Sequence, residues 1–253
     1  MIEGVVNYSF HVTGNAGYIG SRCPVPHYGI DLKTGTDMTS PFGLPRANAV
    51  IHLAAFIDVA ESVREPEKYF RNNILSTLNL IDAMKRALIP KIVFASSAAV
   101  YDPQSPYAWS KLICEWIIMN SGLDYCILRY FNVGGGTSHL GEQRPPITIF
   151  GHDYPTFDGT CIRDYVDIKD VWSANLVALN ESGTYDVGTG QGTSVKEVLS
   201  SKKLPWEVGP RRQGDPPYLV ADPSKFLPGW KPLLRPYQQK PAVEQSDSED
   251  KEQ

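Results

Sequence analysis

The sequence lacks the features that would place it in several large classes of protein. Its 253 residues include only four cysteines and no CxxC pair, which argues against a zinc site or a redox pair. The net charge is −4, whereas chains that neutralise nucleic-acid phosphates are usually basic, so we expect no nucleic-acid partner. The apolar runs are short and interrupted, which argues against a membrane span. These absences leave a globular protein, which we expect in a reduced, cytoplasmic compartment.

The sequence also lacks the pattern of a signal peptide and the histidine spacing of a metal site. The N-terminus has no basic region followed by a long apolar run, so we expect no signal peptide. The five histidines show no spacing typical of metal ligands, and we predict no metal site. We interpret these histidines as core or surface residues: His11, His27, His52, His139 and His152.

Strand-like and helix-like segments alternate along the first half of the chain. Apolar, β-branched runs predict strands at residues 5–13, 49–55, 91–97 and 125–131. Apolar periodicity and an early proline predict helices at residues 66–88 and 106–120. This alternation predicts an α/β fold, with a parallel sheet wound by helices on both sides.

The pattern loosens after residue 133. We predict a first domain at residues 1–133 and a small mixed C-terminal lobe at residues 134–232. Within this lobe the sequence predicts a helix at about 165–180 and a strand at 184–187. Residues 233–253 are polar and acidic, and we expect them to form a disordered tail because they can bury little apolar surface.

A glycine-rich turn, TGNAGYIGS, follows the first predicted strand. Gly14, Gly17 and Gly20 let the backbone approach a diphosphate, and the N-terminus of a following helix would offer free N–H groups. The alternative is a tight turn without a ligand. Asp31, 11 residues after Gly20, is the candidate for the adenine ribose hydroxyl, or else a solvated loop carboxylate.

A second candidate site is the segment SPYAWSK, which places Tyr107 and Lys111 on one face of a predicted helix. An ammonium beside a phenol lowers the phenol's pKa, so the pair could accept a proton near a hydride-transfer cofactor. Ser97 lies at the end of a predicted buried strand, where ligands bind in open α/β sheets. The alternative for Tyr107 and Lys111 is an ordinary amphipathic helix.

Six blocks occur in the order typical of one enzyme family: VTGNAGYIGS, VIHLAAF, EPEKYFRNNILSTLNLIDAM, ASSAAVYD, QSPYAWSKL and LRYFNVGG. Together they resemble extended short-chain dehydrogenases that act on nucleotide sugars. TIFGHDYPTFDGTCIRDYVDIKDV and PRRQGDPP are similar to segments of the UDP-glucose 4-epimerase family. The resemblance covers most of residues 5–225. It implies a Rossmann-type doubly wound parallel sheet, a small substrate lobe and bound NAD.

The resemblance also implies a mechanism on a UDP-sugar such as UDP-glucose or UDP-galactose. Tyr107 would take the proton from the sugar 4-hydroxyl, NAD would take and return the C4 hydride, and Lys111 would hold the nicotinamide ribose. The implied cofactor contacts are Gly14, Gly17, Tyr18, Ile19, Gly20, Asp31, Ala54, Asn73, Tyr107, Lys111 and Tyr130. The implied substrate contacts are Ser97, Asn132, Phe150, Arg163, Arg212 and Asp215, with surface salt bridges as the alternative for the two arginines.

The chain also departs from the family pattern. Residues 20–49 lack most of the first helix and a later strand–helix unit, and Ile57 stands where relatives carry a lysine near the cofactor. Ala98 and Ala99 stand where related dehydratases carry an acid, which favours simple epimerisation. Three hypotheses follow: a UDP-hexose 4-epimerase, a non-catalytic relative, and another nucleotide-sugar epimerase. Helices 66–88 and 106–120 are the candidate surface for pairing with a second copy.

Overall fold

The computed structural model describes residues 8–31, 35–135, 146–212 and 214–233. Its centre is a six-stranded sheet in which all neighbouring strands are parallel. The strands of this sheet are β1 (Phe10–Thr13), β2 (Tyr28–Ile30), β3 (Ala49–His52), β4 (Lys91–Ser97), β5 (Asp124–Tyr130) and β9 (Gly183–Val187). Their order is β2-β1-β3-β4-β5-β9. The parallel sheet predicted from the sequence is therefore confirmed.

Helices cover both faces of this sheet. The helices of the described chain are α1 (Val59–Arg64), α2 (Pro66–Tyr69), α3 (Ser76–Arg86), α4 (Pro106–Met119), α5 (Ile168–Ala178) and α6 (Val195–Ser201). A π-helical stretch, Phe70–Leu75, joins α2 to α3. Helices α3 and α4 pack on one face of the sheet and α5 packs on the other. Because side chains alternate along a strand, Val50 and Ile92 face α3 and α4, whereas Ile51 and Val93 face α5.

Two smaller sheets lie beyond β5. The first contains β6 (Asn132–Gly134), β8 (Ile162–Asp167), β10 (Gly192–Ser194) and β12 (Tyr218–Leu219), with β8 at its centre. The second pairs β7 (Ile147–Phe150) with β11 (Trp206–Gly209). These sheets carry much of the predicted C-terminal lobe. Strand β9 instead pairs with β5 in the large sheet, so the boundary at residue 133 does not separate two independent sheets. Residues 234–253, which include nearly all of the predicted tail, lie outside the described residues.

The first crossover lacks most of its helix, as the sequence indicated. The glycine-rich turn was expected to lead into a very short helix, and the chain forms only a 3-10 turn at Gly20–Arg22 before β2 begins. Pro24 and Pro26 explain the early end, because proline lacks the backbone N–H and disfavours helical conformation in the residue before it. The expectation of a helical N-terminus at this turn was therefore wrong.

Irregular chain covers the sheet faces that the missing elements would have covered. On one face, Met38 is buried, and Phe42 and Leu44 pack against the cluster that contains α3. On the other face, Ile19 packs against the cluster that contains α5, and the Trp172 indole N–H donates to the Ile19 carbonyl at 2.9 Å. The shortened half of the sheet thus keeps two covered faces.

The helix predicted at about residues 165–180 begins later than expected. Residues 165–167 belong to β8, where Tyr165 is paired with Asn132 of β6. Helix α5 starts at Ile168 because the Asp167 carboxylate caps it, accepting a hydrogen bond from the Lys169 N–H at 2.8 Å. Strand pairing with β6 therefore outweighed the apolar periodicity of this segment.

Candidate active site

The candidate residues from five strands lie at one edge of the large sheet. In a parallel sheet the carboxyl ends of all strands share an edge, and open α/β folds bind ligands there. The glycine-rich turn follows β1, Asp31 follows β2, and Ala54 follows β3. Ser97 ends β4, and Asn132 follows β5. The fold therefore gathers the sequence-predicted cofactor and catalytic segments at a single edge.

The glycine-rich turn folds tightly on itself. Gly14 has a φ of +68°, and a Cβ there would lie 2.8 Å from the Ala54 backbone nitrogen. A Cβ on Gly20 would lie 2.2 Å from the Gly14 carbonyl oxygen. Gly17 is exposed, and its N–H donates to the same Gly14 carbonyl at 3.0 Å. Backbone packing thus requires glycine at positions 14 and 20. Gly17 is exposed and lies on the open side of the turn.

The side chains of Tyr18 and Ile19 are engaged within the protein. The Tyr18 hydroxyl donates to the Gly135 carbonyl at 2.8 Å, and the Arg22 guanidinium lies 4.3 Å from the centre of the Tyr18 ring. Burial raises the pKa of the Tyr18 phenol. Ile19 packs against the core, as described above. The predicted cofactor contacts of these two partly buried residues stay predictions.

Asp31 lies directly beside the glycine-rich turn. Its carboxylate accepts a hydrogen bond from the Ala16 N–H at 3.2 Å, and the residue is half-buried. This contact fixes the carboxylate beside the turn, and its role toward a ribose stays a prediction. On the other side of the turn, the Thr13 hydroxyl accepts from the Ala54 N–H at 3.1 Å. The acidic residue thus lies where a ribose bound beside this turn would be found.

Asn73 links the loop after β3 to helix α4. It is 2% exposed, and its side-chain NH₂ donates to the Ser110 hydroxyl at 2.9 Å and to the Phe56 carbonyl at 3.1 Å. Its side-chain oxygen accepts from the Phe56 N–H and from Asn72. All four hydrogen-bonding positions of the amide are used in this way. Asn73 therefore supports the loop that follows β3. Its direct contact with a cofactor stays a prediction.

Ser97 and Tyr107 are brought together by a strand end and a helix start. Helix α4 begins at Pro106 because Ser105 caps it, with its hydroxyl accepting from the Ala108 N–H at 3.2 Å. This start places Tyr107 in the first turn of α4. Burial raises the pKa of the Tyr107 phenol, and the neighbouring Ser97 side chain acts in the opposite direction by less, so the net shift is upward.

Lys111 lies one turn further along α4 and is 3% exposed. Its ammonium donates to the Ala95 carbonyl at 2.8 Å and lies 4.9 Å from the centre of the Phe94 ring. Burial lowers the pKa of Lys111 from 10.5 to about 8. The expected lowering of the Tyr107 pKa by this ammonium is not found, because Lys111 is directed to the Ala95 carbonyl.

Tyr130 and Asn132 occupy the end of β5 and the strand that follows. The Tyr130 hydroxyl donates to the Asn175 side-chain oxygen of α5 at 2.8 Å, and burial raises the pKa of this phenol. Asn132 is exposed at the start of β6. The Tyr130 hydroxyl thus supports the packing of α5, whereas the exposed Asn132 remains free of the core and available at the site's edge.

The other predicted substrate residues form two neighbouring pairs. Arg163 is 7% exposed and donates to the Asp215 carboxylate at 3.1 Å and to the Pro216 carbonyl at 2.8 Å. The Arg212 guanidinium lies 3.7 Å from the centre of the Phe150 ring. The Asp215 N–H donates to the Arg212 carbonyl at 3.3 Å, which joins the two pairs. Four residues predicted from the resemblance therefore lie together, although Arg163 is in a buried ion pair and not a surface one.

Sequence reasoning missed a set of buried charged residues near Ser97. Glu115 is 1% exposed and Asp186 is 2% exposed, and both lie near the guanidinium of Arg129. Asp164, which is fully buried in β8, accepts hydrogen bonds from the backbone of Thr189. The sequence did carry a signal for them, namely a charged residue inside an otherwise apolar helix or strand. Because charged side chains are almost never fully buried without a partner, this pattern could have indicated buried, paired charges.

The described residues fit a bound dinucleotide in part. The tight glycine turn and the neighbouring Asp31 carboxylate match what a diphosphate and a ribose require. The 3-10 turn supplies fewer aligned N–H groups than a full helix would. Within the described ranges no group of three or more His, Cys, Asp or Glu side chains could hold a metal ion. Likewise, none of the described helices is long and apolar enough to cross a membrane.

Known proteins with similar sequences are epimerases. A protein named UDP-glucose 4-epimerase from Lactobacillus helveticus is 37% identical over 239 residues, which cover 74% of this chain and 72% of that protein. Another, from Azospirillum brasilense, is 36% identical over 300 residues, covering 87% and 86% of the two chains. That alignment is longer than this 253-residue chain, so the chain lacks internal segments that the relative has.

Solved structures of similar fold carry the same name. The UDP-glucose 4-epimerase of Stenotrophomonas maltophila, solved with bound NAD and formylated UDP-arabinopyranose, has a TM-score of 0.76 and 29% identity and covers 91% of this chain and 95% of its own. That of Bifidobacterium longum, in complex with NAD⁺ and UDP, has a TM-score of 0.78 at 25% identity, with coverages of 90% and 94%. The family described as NAD dependent epimerase/dehydratase matches residues 24–188. The chain therefore belongs to the NAD-dependent epimerase/dehydratase family.

Proposed function

We propose that the protein is an NAD-dependent 4-epimerase of a UDP-sugar, with UDP-glucose and UDP-galactose as its substrate pair. The observation that carries this proposal is the placement of Ser97 at the end of β4, of Tyr107 in the first turn of α4 and of the buried Lys111 one turn further on, at the sheet edge that also holds the glycine-rich turn. The similar proteins are named as epimerases, and two solved relatives hold NAD together with a UDP-containing ligand.

The chain's own residues would move the proton. Tyr107 is the base for the sugar 4-hydroxyl, and the Ser97 hydroxyl at the end of β4 hydrogen-bonds the same sugar hydroxyl. When bound, NAD supplies the acceptor and later the donor for the hydrogen at C4. Because burial raises the Tyr107 pKa in the free protein, ligand binding has to lower it. Lys111 could do so if its ammonium turned from the Ala95 carbonyl toward the phenol.

The binding side of the site would use the residues of the smaller sheets. We assign Arg163 and Arg212 to the diphosphate, because guanidinium groups suit phosphate oxygens. In the described geometry Arg163 is paired with Asp215, so a diphosphate would have to compete with this carboxylate. Tyr218 is 56% exposed beside Leu219. In the family that the chain resembles, one residue near this place gauges the sugar's 2-substituent, and we assign that role to Tyr218 or Leu219.

The experiment that tests the proposal uses the purified full chain. We expect acid extraction to release NAD, and incubation with UDP-galactose to yield UDP-glucose. A protein that carries NAD but converts only N-acetylated UDP-sugars would support the hypothesis of another nucleotide-sugar epimerase. A protein that binds no NAD, even when NAD is added, and converts no UDP-sugar would contradict the proposal and support the non-catalytic relative.

We also propose that a second copy of the chain covers an apolar face of α3 and α4. Trp109, Ile113 and Trp116 form a stripe along α4, with Trp116 65% exposed, and Leu75 and Leu78 are exposed at the start of the adjacent helix. Light scattering should give the mass of a dimer. Trp116→Glu should give the monomer mass, because it places a charge in the interface. A monomeric wild type at micromolar concentration would contradict this proposal.

A further inference from the structure

Ser97 is held at the start of a short 3-10 turn, Ala98–Tyr101. The Ser97 hydroxyl caps this turn by accepting a hydrogen bond from the Ala99 N–H at 3.2 Å. A 3-10 turn of four residues has little internal stabilisation. The Ser97 backbone is held by its pairing with Tyr130 of β5, whereas its hydroxyl is oriented at this turn, whose far end is Tyr101.

Tyr101 is held by three groups from distant parts of the chain. Its hydroxyl donates to the Asp186 carboxylate of β9 at 2.6 Å. The Arg129 guanidinium lies 4.7 Å from the centre of its ring, and the Lys225 ammonium lies 4.8 Å from the same centre. Although 42% of the residue is exposed, its hydroxyl and its ring are both engaged.

The Asp186 side chain carries a carboxylate and is only 2% exposed. Burial raises its pKa, and the hydrogen bond from Tyr101 and the nearby charges of Lys225 and Arg129 act in the opposite direction. Burying a carboxylate is costly unless it is paired and hydrogen-bonded. The carboxylate accepts hydrogen bonds from the Tyr101 hydroxyl and from the Asp222 backbone, so loss of the Tyr101 hydroxyl leaves it without a hydroxyl donor among the described residues.

The residue before Ser97 is anchored to the same guanidinium. The Ser96 hydroxyl donates to the Glu115 carboxylate of α4 at 2.5 Å. Arg129 binds this carboxylate with two hydrogen bonds, of 3.0 Å from Nε and 2.7 Å from Nη2. Arg129 thus contacts groups on both sides of Ser97 along the chain, Tyr101 after it and the partner of Ser96 before it.

We propose that Tyr101 is a positioning residue that, through Asp186 and Arg129, orients the Ser97 hydroxyl toward Tyr107. This inference rests on the proposed function, because it assigns Tyr101 a role in the same reaction. Reacting groups must be held to within about 1 Å of the productive geometry, and second contacts of this kind supply that precision. Tyr101 itself touches neither the reacting atoms nor the predicted cofactor segments in the described contacts.

The test is a double-mutant cycle with Tyr101→Phe and Ser97→Ala. Tyr101→Phe keeps the ring between the two cations and removes the hydroxyl that binds Asp186. We expect it to lower kcat about tenfold with KM within about twofold, and Ser97→Ala to lower kcat about 100-fold. Because Tyr101 acts through Ser97, the double variant should turn over within about twofold of Ser97→Ala.

Two further variants separate positioning from a general loss of structure. Tyr185→Phe, on the neighbouring position of β9, removes a hydroxyl that donates to the Ser182 carbonyl away from this site, and should leave kcat unchanged. Asp186→Ala should resemble Tyr101→Phe, and Asp186→Asn should recover most of that loss because the amide oxygen still accepts from Tyr101. Multiplicative losses in the double variant, or an unchanged kcat in Tyr101→Phe, would overturn the inference.

A measurement without turnover distinguishes this inference from the proposed function. The ultraviolet absorbance of the phenolate, taken as wild type minus Tyr107→Phe, reports the titration of Tyr107. Both Tyr101→Phe and Ser97→Ala should raise the Tyr107 pKa by the same amount, and the double variant should raise it no further. If the wild type shows no epimerase activity, the proposed function fails, and this titration alone decides whether Tyr101 positions Ser97.

Discussion

Tyr107→Phe is expected to lower kcat for UDP-galactose by about 1000-fold, with NAD still bound. The substitution removes a single oxygen atom, and that oxygen is the proton acceptor for the sugar 4-hydroxyl. The ring lies in the first turn of α4, whose start is fixed by Ser105 and Pro106, so phenylalanine should leave the helix unchanged. The measurements are steady-state turnover and the NAD content of the purified variant.

The control for Tyr107→Phe is Tyr185→Phe, which removes one hydroxyl from the edge of the same sheet. It should match the wild type in both turnover and NAD content. Turnover by Tyr107→Phe within about tenfold of the wild type would show that another group accepts the proton. Loss of NAD together with turnover would show instead that the phenol holds the cofactor.

Lys111→Met is expected to abolish most activity and to stabilise the fold. In the described geometry the ammonium is 3% exposed and its hydrogen-bond acceptor is one backbone carbonyl. A pKa lowered from 10.5 to about 8 corresponds to a cost of about 3 kcal/mol for the charged form at neutral pH. Methionine fills similar space without the charge, so the free energy of unfolding at pH 7 should rise by up to that amount, while kcat falls about 100-fold.

The pH dependence of this stability difference follows from the lowered pKa. Above about pH 10.5 the amine is neutral in both the folded and the unfolded chain, so burial carries no charge penalty. As the pH falls from 10.5 to about 8, the unfolded chain binds a proton that the folded protein does not, and the wild type loses stability relative to Lys111→Met. Below about pH 8 the difference should be constant. Chemical denaturation of both proteins between pH 7 and pH 10 measures it.

A lower stability of Lys111→Met at pH 7 would contradict this account. It would show that the contacts with the Ala95 carbonyl and the Phe94 ring offset the burial of the ammonium. In that case Lys111 would be a structural residue as well as a functional one. A matched control is Lys68→Met, since Lys68 lies at the surface in an ion pair with Glu61 and its substitution should leave the free energy of unfolding close to that of the wild type.

The sequence predicted where the candidate catalytic residues lie in the fold, because the signals for their strand and helix are local. Strand β4 was predicted at residues 91–97 and occupies those residues, since KIVFASS is an apolar run with a polar end. Helix α4 was predicted to open at Pro106, where a serine cap and a proline fix its start. The end of β4 and the start of α4 were both predicted correctly, and Tyr107 and Lys111 are four residues apart. These facts were sufficient to predict that Ser97, Tyr107 and Lys111 lie at one end of the sheet.

The remaining features depend on contacts between distant residues. Tyr101 and Asp186 are 85 positions apart, and no local pattern pairs a tyrosine in one turn with a carboxylate in a later strand. The partnership of Arg163 with Asp215 spans 52 positions. The Tyr107 pKa was predicted to be lowered by Lys111, but the Ala95 carbonyl, two residues before Ser97 on β4, accepts from that ammonium instead. Burial and hydrogen-bond direction decided these points, and neither can be read from spacing.

The first crossover shows a different limit. The glycine spacing of TGNAGYIGS is typical of a turn that leads into a helix, yet the two prolines that follow allow only one 3-10 turn. The sequence did indicate that this region is short. The way in which Met38, Phe42 and Leu44 cover the exposed face could not be predicted, because irregular chain has no periodicity to reveal which side chains point inward.

The central claim is that C4 of the sugar is oxidised and reduced within one site, with Tyr107 handling only the proton. UDP-galactose carrying deuterium at C4 tests this claim most directly. The account predicts that UDP-glucose formed by the wild type keeps the deuterium at C4, because the carbon-bound hydrogen never reaches water. Loss of the label to solvent, or uptake of solvent hydrogen at C4, would contradict the account and point to proton abstraction from carbon.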